Sequence, residues 1–128
     1  EAGTRIPLIV ALPGHTKPLV SDAPVSQIDF LASFAGLVGK ELPEGAGKDS
    51  KNQLDVLIGN SNKGRDYIIE AAYTLSISDG EWKYIEPSKG ARYNRLVDIE
   101  LGNDTLPQEN SKKLEELKSK LEAEKNKY

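Results

Sequence analysis

Between residues 67 and 85 the hydrophobic pattern takes a period of two, and this restricts the fold more than any other feature of the chain. Tyr67-Ile-Ile-Glu-Ala-Ala72 reads as a strand, and Tyr73-Thr-Leu-Ser-Ile-Ser78 alternates apolar and polar residues, the spacing of a strand with one buried face. Asp79-Gly80 supplies a tight hairpin turn, because both residues tolerate positive φ, and Glu81-Trp-Lys-Tyr-Ile85 returns as the next strand. Arg95-Leu-Val-Asp-Ile99 reads as a last strand. From Asn110 onward the spacing is helical: Leu114, Leu117 and Leu121 form a narrow apolar stripe among Lys and Glu, and Glu116 to Lys120 is a favourable i,i+4 pair. The expected fold class is α+β, a small antiparallel sheet of about four strands packed against a C-terminal helix.

The first half reads differently. Arg5-Ile-Pro-Leu-Ile-Val-Ala-Leu12 is a continuous apolar run that fits a strand buried on both faces, as in an α/β sheet. Pro13-Gly14 ends it, and His15 to Pro24 reads as loop. Ser26 is a good N-cap with Asp29 three residues on, similar to a capping box. Ile28, Leu31, Ala35 and Val38 follow at helical spacing; Phe30, Phe34 and Leu37 widen the apolar face, so this helix should be well buried, with Gly39 as its stop. A loop over Leu42 to Ser50, a short helix with Leu54, Leu57 and Ile58, and a second loop from Gly59 to Gly64 complete this part. The expected division is 1–60 and 61–128.

Composition excludes several functions. The net charge is −3 and the pI is near 5.2, with no clustered basic face of the kind nucleic acid requires. No apolar run approaches the roughly 20 residues of a membrane span; Ile6 to Leu12 is also too short, and lacks the basic flank, for a signal peptide. With no Cys, disulfides, thiolate catalysis and Cys-ligated metals are excluded, and a single His excludes a two-His mechanism. The absence of Met places the translation start outside this stretch of sequence.

Seven short segments, in order, resemble those of type I sulfatases. Glu1-Ala2-Gly3-Thr4-Arg5-Ile6-Pro7 is similar to E-G-G-x-R-x-P, and Leu12-Pro13-Gly14 to the W-P-G that follows. Val25-Ser26-Gln27-Ile28-Asp29 resembles V-S-x-x-D, and Gly36 to Pro43 resembles the A-G-x-x-L-P exit. Asp49-Ser50 through Leu54, Leu57 and Gly59 is similar to D-G-x-S-L-x-x-x-L-x-G. Asp79-Gly80-Glu81-Trp82-Lys83-Tyr84 resembles D-G-x-W-K-Y, and Leu96-Val97-Asp98-Ile99 stands where the family has L-Y-D-L. Ala2 in place of Gly, Leu12 in place of Trp, and the missing D-P turn after Leu101 depart from the pattern. The wording is closest to bacterial sulfatases that degrade sulfated glycans.

The resemblance implies the C-terminal region of an alkaline-phosphatase-like hydrolase. Residues 1–60 then end a catalytic α/β domain, with the first strand and helix in its main sheet, and 61–128 form the terminal subdomain. The family hydrolyses sulfate esters with a formylglycine made in a C/S-x-P-x-R motif and a calcium ion. Neither that motif nor the spacing of a calcium loop occurs here, so the chain alone is expected to be inactive. The implied partners are the remainder of the catalytic domain and, for the parent enzyme, a sulfated glycan or aryl sulfate, in a periplasmic or secreted setting. Cut from that sheet, Ile6 to Leu12 is expected to expose apolar surface and strand edges, and to lead to a homodimer through the exposed strand, to strand exchange or to disorder there.

Two residues are candidates for substrate contact. Arg5 could fork a sulfate or carboxylate, or could anchor the strand in an ion pair. His15 follows a strand end, where α/β sheets bind ligands, or is a solvated loop residue. Asp79, Gly80 and Trp82 read as turn and core. Two competing functions stand beside the sulfatase reading: a non-catalytic module binding glycan or a catalytic partner, and the C-terminal part of another alkaline-phosphatase-like hydrolase.

Overall fold

The computed structural model describes residues 6–72, 74–87, 95–98, 104–105 and 110–127. The chain divides into two compact units, Glu1–Arg65 and Asp66–Tyr128.

The second unit carries the antiparallel sheet. Five strands, β1 (Ile68–Ala72), β2 (Thr74–Ser78), β3 (Trp82–Ile85), β4 (Arg95–Asp98) and the two-residue β5 (Asp104–Thr105), lie in simple sequence order among the described residues. In register, Ile69 faces Ile77, Ile77 faces Tyr84, and Tyr84 faces Leu96. Leu75, Ile77, Trp82 and Tyr84 thus share one face of the pleat. The helix α3 (Ser111–Lys125) covers this face with Leu114, Leu117 and Leu121, all buried. The stripe at i, i+3 and i+7 is what a helix lying on one side of a sheet requires.

Polar side chains hold α3 along its length. Lys113 Nζ donates to Asp79 Oδ2 at 3.0 Å, Tyr67 Oη to Glu124 Oε1 at 2.6 Å, and Lys125 Nζ to Glu86 Oε1 at 2.8 Å. The pair expected between Glu116 and Lys120 is formed at 2.7 Å. In the hairpin, Asp79 N–H donates to Trp82 O at 3.1 Å, which centres the turn on Gly80-Glu81, one residue beyond the expected Asp79-Gly80. Gly80 takes the positive φ, 101°, that a primed turn needs at its first central position. The shift arises because Asp79 caps the turn instead: its Oδ1 accepts from the amides of Glu81 and Trp82.

The first unit departs from expectation twice. The strand expected over Arg5–Leu12 is not formed in residues 6–12; Ile9 is 90% exposed, in line with the apolar surface expected of this run without the main sheet. A strand exists only through a ladder with a neighbour, and no described strand lies beside this run. The second departure concerns α1 (Phe30–Leu37), which a 3-10 turn over Gln27–Asp29 opens. Its apolar face, expected to be buried, is exposed at Ile28, Leu31, Phe34, Leu37 and Val38. The face it buries holds Asp29 and Ser33, with Gly36 close against the side chain of Asn52.

Buried polar groups need partners, and here the following loop supplies them. Gln53 N–H donates to Ser33 Oγ at 2.9 Å, and Ala32 N–H donates to Ser50 Oγ at 2.9 Å. Asp29 is the centre of the arrangement. Its carboxylate accepts from Lys51 N–H at 2.8 Å, from Ser26 N–H at 3.3 Å in the reciprocal arm of a capping box, and from Arg65 Nε at 2.7 Å. A second guanidinium nitrogen of Arg65 completes a two-pronged ion pair. Burial pushes the Asp29 carboxyl up, but the Arg65 hydrogen bond, the Lys51 amide, the Arg65 charge and the Ser26 amide together hold it below the ordinary carboxylate value. Arg65 reaches this position because Gly64 runs tightly past Pro24, whose carbonyl accepts from Arg65 N–H at 2.8 Å. A Cβ on Gly64 would lie 2.8 Å from the Pro24 nitrogen and 2.9 Å from its carbonyl carbon, with no side chain to move aside.

Three outcomes follow. Leu117→Ala removes a fully buried side chain and should lower the stability of the second unit by roughly 2–5 kcal/mol. Urea unfolding followed through Trp82, which packs against that core, would register it. Asp29→Asn removes the carboxylate from this buried ion pair and should cost the first unit roughly 3–5 kcal/mol. Because the folded pKa of Asp29 lies below an unfolded value near 4, this contribution is fully present above about pH 4 and is lost as pH falls through the folded value. The first unit contains no Trp or Tyr, so hydrogen exchange, corrected for intrinsic rates, is the suitable readout; a pH-independent first unit would contradict the account. Gly64→Ala should lower protection across the Asp29 network, measured in the same way.

Candidate functional site

The loop after the N-terminal apolar run is locally rigid. Leu12 O accepts from His15 N–H at 2.9 Å and from Thr16 N–H at 3.0 Å. Thr16 Oγ1 accepts from Leu12 N–H at 3.0 Å and donates to Leu12 O at 3.2 Å. Gly14, at φ 84°, lets the chain reverse within this turn. His15 therefore sits on a fixed scaffold with its residue exposed to solvent, an arrangement that can offer an imidazole to a ligand. Arg5, the other candidate, lies outside the described residues.

The sites that bring charged groups together are elsewhere. Asp29 and Arg65 form the buried pair already described. On the sheet face away from Ile77 and Tyr84, Glu70 stands opposite Ser76 in register. Ser76 Oγ donates to Glu70 Oε2 at 3.4 Å, and the Lys83 ammonium forms an ion pair with the same carboxylate; Ser76 and Lys83 are buried. This places a compensated charge pair inside the unit, which is a structural use of Lys and Glu. Asp79 is likewise structural. Burial raises its carboxyl, but the amides of Trp82 and Glu81 and the ammonium of Lys113 hold it below the ordinary value.

Sequence reasoning passed over both buried pairs. The signal for the first was legible: Asp29, Ser33 and Gly36 recur at four and three, a second helical stripe of small and polar residues opposite the apolar one. For Glu70 and Lys83 only the strand register reveals the meeting. Among the described residues no group of three or more His, Cys, Asp or Glu side chains is placed to hold a metal ion. No helix among the described residues is long and apolar enough to cross a membrane.

Known proteins resemble the chain in sequence, and a solved structure resembles it in fold. No family model matches it. An N-acetylgalactosamine-6-O-sulfatase of Bacteroides thetaiotaomicron is 46% identical over 110 residues, covering 84% of this chain and 22% of its own length. An arylsulfatase of Hemicentrotus pulcherrimus is 41% identical over 61 residues, covering 48% of this chain and 11% of its own length. A solved sulfatase structure, reported with the metabolism of multiple glycosaminoglycans by Bacteroides thetaiotaomicron, superposes with a TM-score of 0.81 at 32% identity, covering 89% of this chain and 28% of that one. The chain thus spans less than a third of the length of each of these three relatives. Taken with the antiparallel sheet under a C-terminal helix, these likenesses show that the chain belongs to the sulfatases and corresponds to the C-terminal region of their fold.

Proposed function

We propose that the chain serves as the C-terminal part of an enzyme that hydrolyses sulfate esters of glycans, with 6-sulfated N-acetylgalactosamine as the guiding substrate. The observation that carries this reading is the 46% identity over 110 residues to an N-acetylgalactosamine-6-O-sulfatase. By resemblance, the reaction draws on a formylglycine and a calcium ion. The chain contains no C/S-x-P-x-R segment, so we assign the nucleophile and its cation to the remainder of the catalytic domain.

What this chain contributes is positional. His15, on its hydrogen-bonded turn, is proposed to meet a sugar hydroxyl or a sulfate oxygen, and Arg5 to fork the sulfate with its guanidinium. A single exposed imidazole and one guanidinium can orient a charged ester but cannot cleave it without a nucleophile. A periplasmic or secreted location is part of the same proposal, since sulfated polymers are met there.

The test uses the pure chain and a chimera in which it replaces the segment it matches in the Bacteroides N-acetylgalactosamine-6-O-sulfatase. The isolated chain should neither turn over an aryl sulfate nor bind a sulfated glycosaminoglycan oligosaccharide with submillimolar affinity, whereas the chimera should release sulfate from 6-sulfated N-acetylgalactosamine. His15→Ala in the chimera should raise KM more than it lowers kcat. Heat-labile sulfate release by the isolated chain would contradict the proposal. Submillimolar glycan binding would favour a binding module, and release of phosphate but not sulfate by the chimera would favour a related hydrolase.

A further inference from the structure

The turn that carries His15 is closed by a side chain. Thr16 is half-buried, whereas Pro13, Gly14 and His15 before it are exposed. The amides of His15 and Thr16 both donate to Leu12 O, at 2.9 and 3.0 Å, bonds that any residue but proline could make at those places. Leu12 N–H instead donates to Thr16 Oγ1 at 3.0 Å, a bond that needs a hydroxyl. Resting on the contact assigned to His15 above, we propose that Thr16 is its positioning residue: the Thr16 hydroxyl, acting through the Leu12 peptide, sets where the imidazole stands when a sulfated sugar binds.

The hydroxyl acts here as an acceptor. It also donates to Leu12 O at 3.2 Å, but that oxygen already receives two amides, one for each lone pair. What depends on Thr16 is therefore the partner of Leu12 N–H. Pro13, next in the chain, has no N–H to give. Gly14 at φ 84° permits the reversal, but glycine is also the residue with the most backbone freedom to lose there. Without the hydroxyl, Leu12 N–H turns to water and one end of the turn is released. His15 then ranges over more positions before a substrate arrives.

The loss falls on binding rather than on the chemical step. An exposed imidazole takes its place from the backbone beneath it, and order missing from the free chain must be imposed when the ligand binds. His15 orients the ester and does not cleave it, so the effect enters KM and leaves kcat. A purely structural Thr16 would behave differently. Its removal would weaken the protein whether or not position 15 carries an imidazole, so dependence on His15 separates the two roles.

The test uses two substitutions. Thr16→Val keeps the branched shape and removes the hydroxyl, whereas Thr16→Ser keeps the hydroxyl. Each is made alone and together with His15→Ala in the chimera described above, and KM and kcat are measured on 6-sulfated N-acetylgalactosamine. Thr16→Val should raise KM about fivefold, the size of one lost hydrogen bond, with kcat within about twofold of the parent. Thr16→Ser should hold KM within about twofold, and beside His15→Ala the further effect of Thr16→Val should be no more than about twofold. A KM that responds to His15→Ala but not to Thr16→Val would overturn this inference and leave the His15 contact standing. So would an equal rise with and without the imidazole, the mark of a structural residue. A KM indifferent to His15→Ala would remove the contact itself, and this inference with it. The isolated chain supplies a measurement independent of turnover. Hydrogen exchange at the Leu12 amide, corrected for intrinsic rates, should quicken about threefold or more in Thr16→Val and stay near the parent in Thr16→Ser, with the Lys51 and Gln53 amides unchanged. Unaltered exchange at Leu12, or equal quickening at all three amides, would overturn the proposal even where the chimera fails to fold.

Discussion

The buried carboxylate of Asp29 governs the first half of the molecule. A charge taken out of water is tolerated only when its hydrogen-bonding capacity is filled, and here the donors come from three separate stretches of chain: Ser26 before the helix, Lys51 after it, and Arg65 at the end of the unit. Each contact fixes one segment against α1. Because the donors surround one side of the helix, the polar side must face inward and the aromatic side outward. Ser33 and Ser50 repeat the logic in neutral form, each accepting a backbone N–H that would otherwise be unsatisfied.

The second half follows the opposite rule. Its strands lie in the sheet in sequence order, so each pairs with its neighbour in the chain and the pairing requires little loop closure. Its apolar residues face one another: Leu114, Leu117 and Leu121 meet Ile77 and Tyr84. Ion pairs from Lys113 to Asp79 and from Lys125 to Glu86 locate the two ends of α3 on the sheet. Among the described residues the first half, by contrast, presents apolar surface from Ile6 to Val38.

The sheet and terminal helix were legible because local signals agreed with global packing: alternation in Thr74–Ser78, Gly80 at the turn, and leucines at helical spacing in α3. The helix at Phe30–Leu37 was legible as a helix, yet not in its direction. Periodicity reports that two faces differ but not which one the rest of the chain covers. Arg65, the residue that decides this, lies 36 positions from Asp29, beyond the reach of any local pattern. The run Ile6–Leu12 failed for a related reason: a strand is a property of two segments, and apolar composition in one cannot supply the other. At the site, His15 was identifiable by its place after Pro13-Gly14, but the Thr16 bonds that fix its turn were not.

The most direct test of the inverted helix is solvent paramagnetic relaxation in the isolated chain, with a soluble gadolinium chelate as probe. The account predicts strong broadening of the Phe34 ring and of the Leu31 and Leu37 methyl signals, with the Leu117, Leu121 and Ile77 methyls spared. Spared signals at Phe34 and Leu37 in a monomeric sample would contradict it, because the apolar face of α1 would then be turned inward and Asp29 could not hold the place described.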